Sequence, residues 1–155
     1  MMQKYCFVFS ARAEIVKFTP LVDEFKQHNV NFFTVYTGPH PASEMKDVLM
    51  RELDIPAPDY FLQHASWVFN VMDGVQQLAA ILRFEQPHVV LVQDEANSTL
   101  VATLAAKAVG LHVLHFKTGP RSGKTFTGEA QNALPIAMGA RSADGYQPAA
   151  YSEIR

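Results

Sequence analysis

This sequence has almost no cysteine. Cys6 is the only one in 155 residues, and a single thiol excludes an internal disulfide framework. It falls in the first apolar stretch, where a buried, inert thiol is expected. Long hydrophobic runs are missing too. None approaches the roughly 18 apolar residues of a membrane-spanning helix. Nothing resembles a signal peptide, because the first apolar run is short and leads straight into charged residues. Charge of one sign is scarce as well: 13 Lys+Arg against 15 Asp+Glu leave a net charge of -2. No excess draws the chain to nucleic acid or an anionic membrane. The expectation is one cytoplasmic domain, with enough apolar residues (48%) for a sizeable core.

Familiar site motifs are also absent. There is no GxGxxG and no GxSxG. GPRSGKT follows an apolar run and resembles a P-loop. However, Gly119 and Gly123 enclose three residues where the motif needs four, and no later strand offers an aspartate for Mg²⁺. His112 and His115 look like a metal pair, but on a strand residues i and i+3 point to opposite faces. The other histidines show no ligand spacing. No metal and no cofactor are expected.

What is present alternates regularly. Residues 4–9 (KYCFVF), 30–36 (VNFFTVY), 88–92 (HVVLV) and 111–116 (LHVLHF) read as short buried strands. Between them, Ile15, Phe18, Leu21, Val22 and Phe25 recur at helical spacing, interrupted at Pro20, where Thr19-Pro20 could restart the helix and a kink is expected. Met45, Val48, Leu49 and Leu53 mark a second helix. IPAPDYF is Pro-rich and extended. Residues 65–85 form a long helix with a stripe of Val68, Val71, Met72, Val75, Leu78 and Leu82. Ser98 to Val109 is alanine-rich and helical, with Gly110 suited to the left-handed position after its last turn. Glu129 to Ala140 is a weaker helix, broken by Pro135. Continuous apolar strands alternating with helices predict a doubly covered parallel sheet. The fold class is α/β, a three-layer Rossmann-like sandwich.

In such sheets, ligands bind outside the carboxyl ends of the strands. The unusual polar residues cluster there: Ser10-Ala11-Arg12-Ala13-Glu14, Thr37-Gly38-Pro39-His40, Gln93 through Thr99, and the loop HFKTGPRS from His115 to Ser122. Arg12, just before a helix, suits an anion such as a diphosphate, or else a surface ion pair with Glu14. Asn97, Ser98 and Thr99 offer donors at another helix start, or simply cap it.

Taken together and in order, these clusters resemble the non-hydrolysing UDP-N-acetylglucosamine 2-epimerase family. Its G-T-R-P-E motif and I-K-x-x-P helix compare with Ser10–Glu14, then Ile15, Lys17 and Pro20. Its T-G-Q-H compares with Thr37–His40, and its P-D-Y with Pro58-Asp59-Tyr60. Its P-D-x-V-x-V-Q-G-D-T-x-T compares with Pro87 to Thr99, and its H-V-E-A-G-L-R-[ST] with His115 to Ser122. The likeness runs from about Lys4 to Pro148. It implies the first of two Rossmann-like domains of a glycosyltransferase-B-type enzyme, with substrate in the cleft between them. The sequence stops about where the second, nucleotide-binding domain would begin, so a single domain over residues 1–155 is expected.

The resemblance also implies the chemistry and its alterations. Family carboxylates remove and return the proton at sugar C2. One family acid falls on Glu95. A second falls on Lys117, which reverses charge where a base should stand. A third compares with Glu129 across a deletion. Arg12, His40, Asn97, Ser98 and Arg121 would meet the ligand. The implied function is an epimerase-like domain with impaired catalysis. It would bind a UDP-sugar or another small anion, and would pair with a second copy or another protein through its exposed cleft face. The alternative is an active epimerase completed by an oligomer partner or separate subunit, with Glu95 as principal base and Lys117 as a phosphate or oxyanion contact.

Overall fold

A computed structural model describes residues 3–10, 12–38, 56–63, 70–93, 97–116 and 141–143. Strand β1 (Lys4–Phe9) leads to helix α1 (Arg12–Gln27), then β2 (Asn31–Tyr36) and the short β3 (Tyr60–Phe61). Helix α2 (Val71–Glu85), β4 (Val89–Gln93), α3 (Asn97–Ala108), β5 (His112–Phe116) and β6 (Arg141–Ala143) follow. The six strands among the described residues form one sheet in the order β3-β2-β1-β4-β5-β6. Every neighbouring pair is parallel. The chain thus builds outward from β1 in one direction, then returns and builds outward from β4 in the other. The order reverses between β1 and β4, which leaves a crevice at their carboxyl ends.

Strand alternation sorts the core into two halves. Cys6, Val8, Phe33, Val35, Val90, Val92 and Val113 point to one face, against Leu78, Ala79 and Leu82 of α2 and Val101, Ala102, Ala105 and Ala106 of α3. The small residues of α3 let that helix approach the sheet closely. Phe7, Phe9, Tyr36 and Leu91 point to the other face, against Ile15, Phe18 and Val22 of α1. This half is aromatic: Phe7 meets Phe18, Phe25 and Phe32 edge-to-face, with ring centroids 5.1, 5.3 and 5.6 Å apart, the arrangement that ring quadrupoles favour. Cys6 is fully buried, and burial pushes its thiol pKa well above the ordinary value, consistent with an inert structural thiol.

The helix ends follow local chemistry. At the end of α1, Val30 N–H donates to Phe25 O (2.8 Å) and Asn29 N–H to Lys26 O (3.2 Å), with Asn29 left-handed at φ 53°. At the end of α3, Leu111 N–H donates to Ala106 O (2.9 Å) and Gly110 N–H to Lys107 O (3.2 Å), with Gly110 at φ 77°. Both are Schellman closures, the second on the glycine expected from sequence.

Three sequence expectations are corrected. Pro20 lies inside α1, which runs unbroken from Arg12 to Gln27; the apolar stripe on both sides of the proline holds the helix to one face of the sheet. The helix expected from residue 65 begins at Val71, because Asn70 is extended and its side chain accepts from Met72 N–H (3.0 Å) and Asp73 N–H (3.4 Å), an N-cap that fixes the start. Met72 is 61% exposed and therefore not part of the buried stripe. The helix expected around Met45–Leu53, the one over 129–140 and residues 64–69 lie outside the described residues.

Candidate functional site

The crevice edge is built from four strand ends. Beyond β1, Ser10 turns into α1. Glu14, the third residue of that helix, stands where a capping-box glutamate reaches back over the helix start. It accepts from Ser10 N–H (2.8 Å) and Ser10 Oγ (2.9 Å). Its other oxygen accepts from Ser98 Oγ at 2.7 Å, 84 positions away in α3. Glu14 is only 3% exposed and Ser98 is fully buried. A buried carboxylate is tolerated only when well hydrogen-bonded, and this one ties the starts of α1 and α3 together across the reversal of strand order.

Beyond β2, Thr37 is fully buried. Its N–H donates to Phe9 O at 2.8 Å, which docks the turn onto the end of β1. Gly38 follows because nothing larger fits. A Cβ there would stand 2.1 Å from Tyr36 Oη and 2.4 Å from the Ser10 carbonyl oxygen. Beyond β4, Thr99 Oγ1 donates to Gln93 O at 3.1 Å, fastening α3 to the strand that precedes it. Beyond β5, Phe116 stands level with Gln93, and the next residue in sequence is Lys117. Helices α1 and α3 therefore both present their amino-terminal, positive ends at this edge, where an anion is favoured.

The expected site residues fall as follows. Arg12 opens α1. Asn97 opens α3 and is exposed. Ser98 sits beside it, with its hydroxyl directed to Glu14 rather than to the surface. His40, Glu95, Lys117, Arg121 and Glu129 lie outside the described residues. His112 is exposed and His115 fully buried, as the opposite-face argument requires. No group of three or more His, Cys, Asp or Glu among the described residues could hold a metal ion.

Sequence reasoning missed the part played by Glu14. The signal was available in the spacing of Ser10 and Glu14 around a helix start, but the partner Ser98 was not. It also left Pro58-Asp59-Tyr60 without a physical role. Asp59 Oδ2 accepts from Thr34 N–H (2.8 Å) and Thr34 Oγ1 (3.1 Å), pinning β3 to β2. Tyr60 Oη donates to Glu85, which also pairs with Lys4. These bonds hold the Tyr60 phenol up at about 12 and the Glu85 carboxyl below its ordinary value, chiefly through Lys4 and then Tyr60. That motif supports the sheet away from the crevice.

Residues 23–142 match the family described as UDP-N-acetylglucosamine 2-epimerase; the Ser10–Glu14 segment precedes that range. A UDP-N-acetylglucosamine 2-epimerase of Methanococcus maripaludis is 31% identical over 123 residues, covering 78% of this chain and 33% of that protein. The UDP-2,3-diacetamido-2,3-dideoxy-D-glucuronate 2-epimerase of Pseudomonas aeruginosa is 30% identical over 118 residues, covering 74% and 33%. The UDP-GlcNAc 2-epimerase of Neisseria meningitidis, solved bound to UDP-GlcNAc, superposes with a TM-score of 0.75 at 26% identity, covering 88% of this chain and 39% of that one. This chain spans about a third of the length of these curated relatives. With the sheet order, the crevice and these matches agreeing, the chain belongs to the UDP-N-acetylglucosamine 2-epimerase family.

Proposed function

We propose that this chain forms one wall of a nucleotide-sugar site, binds a UDP-sugar there, and has impaired 2-epimerase chemistry. The observation that carries the reading is the residue that follows β5. The strand runs parallel to β4 and ends level with it, and the chain leaves it as Lys117. A cation at this position favours an anionic ligand, met by Arg12 and Asn97 at the two helix starts, with His40 and Arg121 as further ligand contacts. It does not replace a carboxylate base, because a lysine becomes a base near neutral pH only when its pKa falls by several units. Glu95 keeps a carboxylate in the sequence between β4 and α3, with Glu129 as a further acid.

A second reading keeps the activity. Glu95 is the observation in its favour. With a second copy or another chain closing the cleft, Glu95 would be the principal base and Lys117 an oxyanion or phosphate contact.

One experiment separates the two. The chain is incubated with UDP-N-acetylglucosamine in D₂O and the C2 proton is followed by NMR. The impaired reading expects ligand binding without deuterium uptake at C2. Uptake that disappears in Glu95→Gln would overturn it in favour of the active enzyme. An absence of binding would remove both.

A further inference from the structure

Among the described residues at the crevice, Gln93 has a side chain whose polar atoms the fold leaves without partners. It ends β4 and is fully buried. Neither its Oε1 nor its Nε2 has a hydrogen-bond partner among the described residues. Its main-chain carbonyl is satisfied by Thr99, so the defect belongs to the carboxamide alone. Leaving such a group unpaired in the interior destabilises the fold, whereas an apolar side chain of similar size would not. The three preceding residues, Val90, Leu91 and Val92, are apolar and buried. An amide at this position therefore needs a reason other than packing.

Its place supplies one. Leu91 belongs to the aromatic half of the core and Val90 and Val92 to the other half. Alternation puts the Gln93 side chain on the α1 side. It stands at the reversal of strand order, two residues before Glu95 and level with Phe116, which precedes Lys117. Ligands of open parallel sheets bind at this point.

The chemistry of the amide narrows the ligand group. A carboxamide offers both a donor and an acceptor. A phosphate only accepts, so it would satisfy Nε2 and leave Oε1 unpaired. A hydroxyl or a secondary amide both donates and accepts. We infer that Gln93 is a specificity-determining residue that pairs with an uncharged donor–acceptor group of the ligand, a hydroxyl or acylamino group of the sugar, and not with its phosphates. This rests on the nucleotide-sugar reading above.

The test compares UDP-N-acetylglucosamine with UDP, which lacks the sugar, in calorimetric titrations of the chain and of Gln93→Met. UDP affinity should stay within about 2-fold, and UDP-N-acetylglucosamine should weaken about 10-fold, the scale of a neutral hydrogen-bonded pair. The unliganded unfolding temperature should not fall, since an unpaired polar group has been removed. If the two affinities move together or not at all, the inference is overturned. A lower unfolding temperature with an unchanged affinity ratio would overturn it too, and make Gln93 the holder of a structural water. If the unsubstituted chain binds neither compound, the nucleotide-sugar reading itself fails. Should Gln93→Met not fold, the side-chain amide resonance of Gln93 in the unsubstituted chain decides. It must shift with UDP-N-acetylglucosamine and not with UDP; equal shifts, or none, would overturn the assignment.

Discussion

Replacing Ser98 by alanine removes one atom of consequence, the hydroxyl that donates to Glu14 at 2.7 Å. Ser98 is fully buried and Glu14 is 3% exposed, so water does not readily take the vacated place. A hydrogen bond to a charged partner contributes about 1.5–3 kcal/mol. For a chain of this size each kcal/mol shifts the unfolding temperature by about 2–4 °C, so Ser98→Ala should lower it by about 3–12 °C. Urea unfolding should show the same loss as a lower midpoint with an unchanged slope. Glu14→Ala should cost more, because it also strands Ser10 N–H and Ser10 Oγ. The double variant should lie within about 0.5 kcal/mol of Glu14→Ala alone, since the shared bond can be lost only once. A Ser98→Ala midpoint equal to that of the unsubstituted chain would refute the tie between the two helix starts. Losses that simply add would refute it as well.

Gly38→Ala should cost about 3 kcal/mol by urea denaturation, because its new Cβ meets a tyrosine ring and a backbone carbonyl that cannot both withdraw; Tyr36→Phe should recover little of it. Glu85, held below its ordinary 4.5 by Lys4 and Tyr60, should contribute stability above pH 4.5 that is lost as pH falls through its folded value. Glu85→Gln should flatten the acid limb of the stability profile. Tyr60, pushed up from 10.0 to about 12, should contribute fully below pH 10 and lose that contribution between pH 10 and 12. Tyr60→Phe should remove the slope in that window and, by taking a donor from Glu85, also reduce the contribution of Glu85 on the acid limb.

By itself the sequence determined the regular part of this protein. Four apolar runs gave four of the six strands to within a residue at each end, because a doubly buried strand must be apolar throughout. The stripe of α1 was legible from its helical spacing and α3 from its alanine-rich run, and Gly110 marked a helix end because few other residues adopt its φ. The family, too, was readable from motifs kept in order. Only the tertiary structure decided the rest. Strands β3 and β6, of two and three residues, have no pattern of their own and exist through pairing with β2 and β5. Pro20 stays inside α1 because burial of the stripe outweighs the lost hydrogen bond. At the site, Arg12 and Asn97 fell at helix starts as expected. The direction of Ser98 toward Glu14, 84 positions away, and the unpartnered burial of Gln93 could not be read locally. Spacing along the chain reports which face a residue shares with its near neighbours. What a side chain meets across that face depends on elements brought together only when the sheet closes.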